Sequence, residues 1–135
     1  MIIVLDASTF VSAALKANSL PERALFRAIS RPNRLILSQA VEQEYRDVLF
    51  RPKFDRFVSL ERRQRILDIV LVAAERVEPV QPVTECADPK DNKYLALAAA
   101  GGADLIVSSD ARHLLSMHPW RGISILSPKD YLAQK

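Results

Sequence analysis

The chain has 135 residues, of which 49% are hydrophobic and 26% charged, with a net charge of +3, a composition typical of one globular domain and unlike that of a disordered protein. We expect neither a transmembrane helix nor a signal peptide, because no apolar run reaches the roughly 18–20 residues of a span and no basic segment precedes the opening MIIVL. A single cysteine, Cys86, excludes an intrachain disulfide and argues against a cysteine-based zinc site, which favours a cytoplasmic setting.

Short apolar runs rich in β-branched residues alternate along the chain with stretches of helical periodicity. Proline or serine stands at the start of three helical stretches, and two glycines follow the fourth. In chain order, the predicted elements are strand Ile2–Leu5, helix Pro21–Ile29, strand Leu35–Leu37, a helix from the cap Ser38 to Leu49, a helix from Ser59 to about Arg76, a weaker strand Val77–Val80, helix Asp91–Ala100, and strands Leu105–Val107 and Ile123–Leu126.

This alternation predicts an α/β fold with a parallel β-sheet and helices on both faces. Each main strand is almost entirely apolar, as expected where both faces of a sheet are covered. In such sheets ligands bind outside the carboxyl ends of the strands, so the residues that follow strands are the first candidates for a functional site.

Four acidic residues occupy positions that this fold brings to one edge of the sheet. Asp6 directly follows the first strand, and Asp110 comes shortly after the fourth. Asp91 begins the helix that leads into that fourth strand, and Glu44 lies on the helix after the second. On a helical wheel, Glu42 and Glu44 both flank the apolar stripe of their helix, so geometry does not separate them.

Carboxylates that converge repel one another and need a compensating cation. Two of them about 5 Å apart repel by roughly 3 kcal/mol at an effective dielectric of 20, and four make six such pairs. An all-oxygen cluster without histidine or cysteine favours Mg²⁺ or Mn²⁺ over Zn²⁺. We expect the cluster to destabilise the metal-free protein, so that Asp110→Asn stabilises it.

Three of these acids also have a structural interpretation that the pattern leaves open. Asp6 can cap the helix that follows it, and Asp110 can cap a helix over Ala111–Ser116. Asp91 can be an acid of the first helical turn that the helix dipole stabilises.

A basic segment runs from Arg51 to Arg65, with six basic residues against two acids. The local excess of four positive charges can follow a phosphate backbone, and Arg51 and Lys53 are the candidates for guiding a polyanion to the acidic site. The alternatives are a solvated helix face and, for Arg51, an ion pair with Asp47 one helical turn earlier.

Four segments in order resemble the motifs of the PIN-domain family, specifically its VapC-like toxin components. They are Asp6–Ala13 (DASTFVSA) after the first strand, Ser38–Leu49 (SQAVEQEYRDVL), Asp88–Ala98 (DPKDNKYLALA) and Ala103–Asp110 (ADLIVSSD), and Ile123–Leu132 resembles the family's last strand and short helix. The second segment selects Glu44 over Glu42.

The resemblance implies a metal-dependent endoribonuclease that is often a homodimer and is inhibited by a cognate antitoxin covering the active site. It makes Asp6, Glu44, Asp91 and Asp110 both catalytic and metal-binding. Asp6, Asp91 and Asp110 would hold Mg²⁺ or Mn²⁺, and Glu44 would orient or deprotonate the attacking water, leaving a 5′-phosphate and a 3′-hydroxyl on the cleaved RNA.

Two positions depart from the family pattern. Ser8 stands where members often have asparagine, and Arg112 stands where many have a second acid. Serine can still donate a hydrogen bond, whereas Arg112 takes the place of a metal ligand and adds a charge for phosphate. The predicted substrate contacts are Ser8, Arg51, Lys53, Ser108 and Arg112.

Three other classes of protein share part of the pattern. A haloacid-dehalogenase-type phosphatase needs a second aspartate where Ser8 stands. A phosphoacceptor receiver domain needs an acidic pair where Asp6 stands alone. A catalytically silent PIN-like RNA- or protein-binding module fits Ser8 and Arg112 and is the stronger alternative.

Overall fold

The structure is a computed structural model that describes residues 1–134. Within these residues, five parallel strands form one sheet in the order β3-β2-β1-β4-β5. The strands are β1 (Ile2–Leu5), β2 (Arg34–Leu37), β3 (Glu75–Arg76), β4 (Leu105–Val107) and β5 (Ser124–Leu126).

Six α-helices join and cover the strands of this described region. They are α1 (Ala7–Leu15), α2 (Leu20–Ile29), α3 (Gln39–Leu49), α4 (Leu60–Ala73), α5 (Asn92–Gly101) and α6 (Pro128–Ala133). Five begin with a side chain that accepts a hydrogen bond from a backbone N–H of the first turn; these caps are Asp6, Ser19, Ser38, Ser59 and Ser127. In residues 1–134 no helix has the length and apolar character needed to cross a membrane.

The two central strands are buried on both faces. Ile3, Val4 and Leu5 of β1 have no exposed surface, and neither has any residue of Leu105–Val107 in β4. Successive side chains of a strand point to opposite faces, so helices cover the sheet on both sides. The predicted α/β fold with a parallel sheet and helices on both faces is confirmed.

The sequence prediction is wrong around β3. The helix expected to reach Arg76 ends at Ala73, and the strand is Glu75–Arg76 rather than Val77–Val80. Both β3 residues are exposed, because this strand lies at the edge of the sheet and pairs with β2 through its backbone. An apolar run was therefore the wrong signal for it.

Glycine lets α5 lie close against the sheet. A Cβ at Gly101 would overlap the side chain of Ile36 on β2, and Gly102 ends the helix with a left-handed φ of 61°. This packing fixes the orientation of α5 and therefore the place of Asp91 at its opposite end.

Candidate active site

A cavity of about 200 Å³ opens where β1 and β4 end side by side. Its walls include all four acids predicted from the sequence: Asp6, Glu44, Asp91 and Asp110. Asp6 follows β1 and Asp110 lies in the loop after β4, while α3 carries Glu44 and α5 begins after Asp91. We call this cavity the acidic pocket.

Asp6 is the most constrained of the four acids, with only 3% of its surface exposed. Its Oδ1 accepts hydrogen bonds from Ser8 Oγ at 2.8 Å and from the Thr9 backbone N–H at 2.9 Å, and its Oδ2 accepts one from Ser108 Oγ at 2.5 Å. Burial raises the pKa of Asp6 even though these hydrogen bonds favour its ionised form. Asp6 is thus a helix cap and a wall of the acidic pocket at once.

Ser108 connects Asp6 to Asp110. Its hydroxyl donates to Asp6 and accepts a hydrogen bond of 2.9 Å from the backbone N–H of Asp110. Ser108 has no exposed surface. Its contacts are those of a residue that positions two acids, and the contact of Ser108 with substrate stays a prediction.

Asp91 occupies the N-cap position of α5 but makes no capping hydrogen bond. Its Oδ2 is buried and lacks a hydrogen-bond partner within the described residues. Burial, first of all, and the nearby carboxylates of Asp110, Asp88 and Asp6 together raise the pKa of Asp91 to about 7. The interpretation of Asp91 as an acid stabilised by the helix dipole does not explain a buried carboxylate oxygen that has no hydrogen-bond donor in residues 1–134.

Asp110, in contrast to Asp91, is stabilised in its ionised form. Although burial opposes ionisation, hydrogen bonds from the His113 ring and the Arg112 backbone hold the pKa of Asp110 below its usual value. Its Oδ1 accepts from the backbone N–H groups of Arg112 and His113 at 3.1 and 3.3 Å. These bonds stabilise a turn rather than the helix expected over Ala111–Ser116; a short 3₁₀ segment follows at Leu115–Met117.

His113 was missed by the sequence analysis, which treated the cluster as all-oxygen. Its Nδ1 lies 2.9 Å from Asp110 Oδ2, 3.8 Å from Asp91 Oδ2 and 4.0 Å from Asp88 Oδ2. The hydrogen bond with Asp110 raises the pKa of the imidazole. The spacing Asp110-x-x-His113 puts both residues in one turn and was the available signal.

Glu44 has a cationic partner of its own, which the sequence analysis also missed. Lys93 Nζ lies 3.3 Å from Glu44 Oε2, and both side chains are more than two-thirds buried. Glu42, by contrast, pairs with Arg46 and Arg76 away from the acidic pocket. The structure thus separates the two glutamates that the helical wheel left equivalent.

The basic segment divides into inward and outward residues. Arg62 donates to Glu22 at 2.7 Å, and Arg63 has no exposed surface and donates to Asp55 at 2.7 Å. The alternative of a solvated helix face therefore does not hold for these two arginines.

Arg51 and Lys53 are exposed just beyond the end of α3. The ion pair considered between Arg51 and Asp47 is not formed, and Asp47 accepts a hydrogen bond from Gln43 instead. Two other predicted substrate contacts are also exposed: Ser8 lines the acidic pocket, and Arg112 lies in the turn after Asp110.

The sequence profile of the PIN domain matches residues 2–112. The chain belongs to the PIN-domain family. One solved chain with a similar fold comes from the crystal structure of VapBC2 from Rickettsia felis bound to a DNA fragment from their promoter, with a TM-score of 0.61 and 16% identity over 94% of this chain and 98% of that chain. No curated protein matches the sequence significantly.

The acidic pocket of this PIN domain suits a divalent metal ion. The buried Oδ2 of Asp91, which has no donor among the described residues, is an oxygen ligand without a partner. Asp110 and Glu44 offer further carboxylate oxygens in the same cavity. Asp6 offers fewer free lone pairs, since three donors already contact a carboxylate that accepts about four.

Proposed function

We propose that this PIN domain is a metal-dependent endoribonuclease and the toxin of a VapC-like toxin–antitoxin pair. The observation that carries the proposal is the convergence of Asp6, Glu44, Asp91 and Asp110 in one cavity, where a buried oxygen of Asp91 has no hydrogen-bond donor among residues 1–134. Repulsion among these carboxylates destabilises the folded protein when no cation is bound, and a bound metal ion in the active protein explains why the arrangement is present.

Asp91 and Asp110 are the proposed principal ligands of Mg²⁺ or Mn²⁺, and Asp6 borders the same ion from its fixed position. The chemistry that a bound ion supplies is Lewis acidity, which activates water and neutralises charge on a scissile phosphate. The protein's own part is to hold the carboxylates rigidly, through Ser108 and the Ser8 hydrogen bond to Asp6.

Glu44 is the proposed base that orients and deprotonates the attacking water. Its pairing with Lys93 holds the carboxylate at the edge of the cavity and offsets its charge. The nearby ammonium also offers a donor for a non-bridging phosphate oxygen. Attack by water on phosphorus leaves a 5′-phosphate and a 3′-hydroxyl.

Exposed basic residues around the acidic pocket are the proposed contacts for the RNA backbone. Arg112 lies in the turn after Asp110, and Arg51 and Lys53 follow α3 about 10 Å along the helix axis from Glu44. Each can bind a phosphate without entering the carboxylate cluster.

A cognate antitoxin that covers the acidic pocket and a homodimeric state are part of the same proposal. They are supported by the VapC-like motifs of the sequence and by the similar fold of a chain in the VapBC2 complex. Exposed Phe57 and Leu60, at 69% and 60%, offer an apolar surface to a protein partner.

A catalytically silent PIN-like binding module is the second candidate. It is favoured by the three protein donors on Asp6 and by Arg112 at the position of an expected acid. The two candidates differ in whether the protein itself cleaves RNA by means of these carboxylates.

The test is a cleavage assay of purified protein on structured RNA with EDTA, Mg²⁺ or Mn²⁺. We expect cleavage with the ions and none in EDTA, and we expect Asp91→Asn and Asp6→Asn to abolish it. Asp91→Asn is the cleaner variant, because Asp91 makes no capping bond and its loss should leave the fold intact.

The matched control is Asp47→Asn, an exposed acid on α3 outside the acidic pocket whose amide can still accept from Gln43. Its activity should equal that of the unmodified protein. Cleavage that survives Asp91→Asn and Asp6→Asn would indicate a contaminating nuclease and favour the silent module.

A further inference from the structure

A nitrogen donor lies among the oxygens of the acidic pocket. Nδ1 of His113 and carboxylate oxygens of Asp88 and Asp91 all lie within 4.8 Å of one another. Asp110 Oδ2 is 2.9 Å from the same nitrogen. His113 sits on the turn that Asp110 stabilises, so its ring is held at this place by backbone hydrogen bonds.

These separations are those of ligands around one ion. An octahedral ion about 2.1 Å from each ligand puts neighbouring ligand atoms about 3 Å apart and opposite ones about 4.2 Å apart. The distances from His113 Nδ1 of 2.9, 3.8 and 4.0 Å fall in this interval. The Asp91 oxygen at 3.8 Å is the one that is buried without a donor.

We propose that His113 is a direct nitrogen ligand of the ion in the acidic pocket, together with Asp91 and with Asp88 at its rim. Nδ1 then offers its lone pair to the ion instead of its hydrogen bond to Asp110. This inference rests on the proposed function, because it assigns a ligand to that same site. It also has a consequence for selectivity, since imidazole favours transition metals over Mg²⁺.

The other histidine of the chain provides a matched control. The sequence has two histidines, and Nδ1 of His118 accepts a hydrogen bond of 2.8 Å from the Ile125 backbone N–H. Any imidazole signal from a bound ion must therefore come from one of two known residues, only one of which lies in the cluster.

The test is pulsed electron paramagnetic resonance of the full chain loaded with Mn²⁺, once with natural histidine and once with ¹⁵N-labelled histidine. We expect the coupling of one directly bound imidazole nitrogen, changed by the label, present in His118→Gln and absent in His113→Gln. Calorimetric titration with Mn²⁺ and Mg²⁺ should show the ratio of the two affinities falling about tenfold in His113→Gln.

Mn²⁺ binding without nitrogen coupling, or coupling that persists in His113→Gln, would overturn the assignment of His113 and leave the proposed nuclease standing if RNA is cleaved. The measurement on the unmodified protein decides this even if the variant does not fold. Failure of Mn²⁺ to bind at all would overturn both.

Discussion

The hydroxyl of Ser108 donates a hydrogen bond of 2.5 Å to Oδ2 of Asp6. Oγ of Ser108 also accepts a hydrogen bond from the backbone N–H of Asp110, so one buried side chain sets the spacing of two acids that follow neighbouring strands. Ser108→Ala leaves a buried carboxylate oxygen and a backbone N–H without this partner, and we expect a loss of about 1–3 kcal/mol in the free energy of unfolding.

Chemical denaturation of Ser108→Ala and Ser109→Ala measures this effect. Ser109 is exposed, and the one side-chain hydrogen bond that it forms within residues 1–134 joins it to the Thr9 hydroxyl at 3.2 Å, so its replacement should change stability by less than about 0.5 kcal/mol. Equal losses in the two variants would show that Ser108 does not have the positioning role assigned to it.

In the metal-free protein the unfavourable ionisation is that of Asp91, which burial and the neighbouring carboxylates oppose, and not that of Asp110, the residue to which the sequence prediction assigned it. Because the pKa of Asp91 is raised to about 7, its ionisation costs the native state stability as pH rises from about 4 to 7. Asp91→Asn should therefore stabilise the metal-free protein at pH 8. Since one pKa unit corresponds to about 1.4 kcal/mol and the acidic pocket is open to water, we expect a gain of about 1–2 kcal/mol.

The comparison is made by urea denaturation in EDTA. The gain should shrink toward zero near pH 4, where Asp91 is protonated in both folded and unfolded chains. Asp110→Asn should act in the opposite direction and lower stability, because hydrogen bonds hold the pKa of Asp110 low and favour its charge. A stabilising Asp110→Asn would restore the original assumption and contradict the present assignment.

Lys93 should lower the affinity of the acidic pocket for a metal ion and raise the affinity for RNA. Its ammonium lies 3.3 Å from Glu44, so its removal makes the cavity more negative. We expect Lys93→Gln to raise the affinity for Mn²⁺ about two- to fivefold and to weaken RNA binding. Lys90→Gln is the control, since Lys90 is exposed three residues earlier and forms no ion pair in residues 1–134. Calorimetry and RNA titration of this variant should give the same affinities for Mn²⁺ and RNA as the unmodified protein.

Loss of a basic side chain that binds RNA should lower the dependence of RNA affinity on salt. Arg51→Ala and Lys53→Ala should each reduce the magnitude of the slope of log affinity against log salt by about 0.7, with metal affinity unchanged. Arg31→Ala is the control, because Arg31 is exposed just before β2 and so at the amino edge of the sheet. If the slopes of Arg51→Ala and Lys53→Ala equal that of Arg31→Ala, Arg51 and Lys53 do not contact the RNA backbone.

The parts of the fold that follow apolar periodicity could be predicted from the sequence. β1, β4 and the helix with Glu44 were found because each is buried in a way that a continuous apolar run or a helical apolar stripe reveals. β3 was not, since two exposed edge residues carry no apolar signal and their pairing is set by the neighbouring strand.

The acidic residues of the acidic pocket could be predicted from the sequence, but the basic side chains that contact them could not. Strand ends and family motifs place carboxylates, whereas the contact of Lys93 with Glu44 spans 49 positions and depends on how α5 packs beside α3. His113 was overlooked because the strand ends and the family motifs pointed to carboxylates alone. The burial of Arg63 depends likewise on its ion pair with Asp55. Counting charges along the sequence only subtracts Asp55 from the basic excess and does not show this pair.

The chemical identity of the cleaved RNA ends tests most directly whether carboxylates and a bound ion activate water. With Mn²⁺ and an end-labelled RNA, the account predicts a 5′-phosphate and a 3′-hydroxyl at every cut, and no cuts with Asp91→Asn. A 2′,3′-cyclic phosphate would show that the RNA's own 2′-hydroxyl is the nucleophile, and it would contradict the roles assigned here to Glu44 and the acidic pocket.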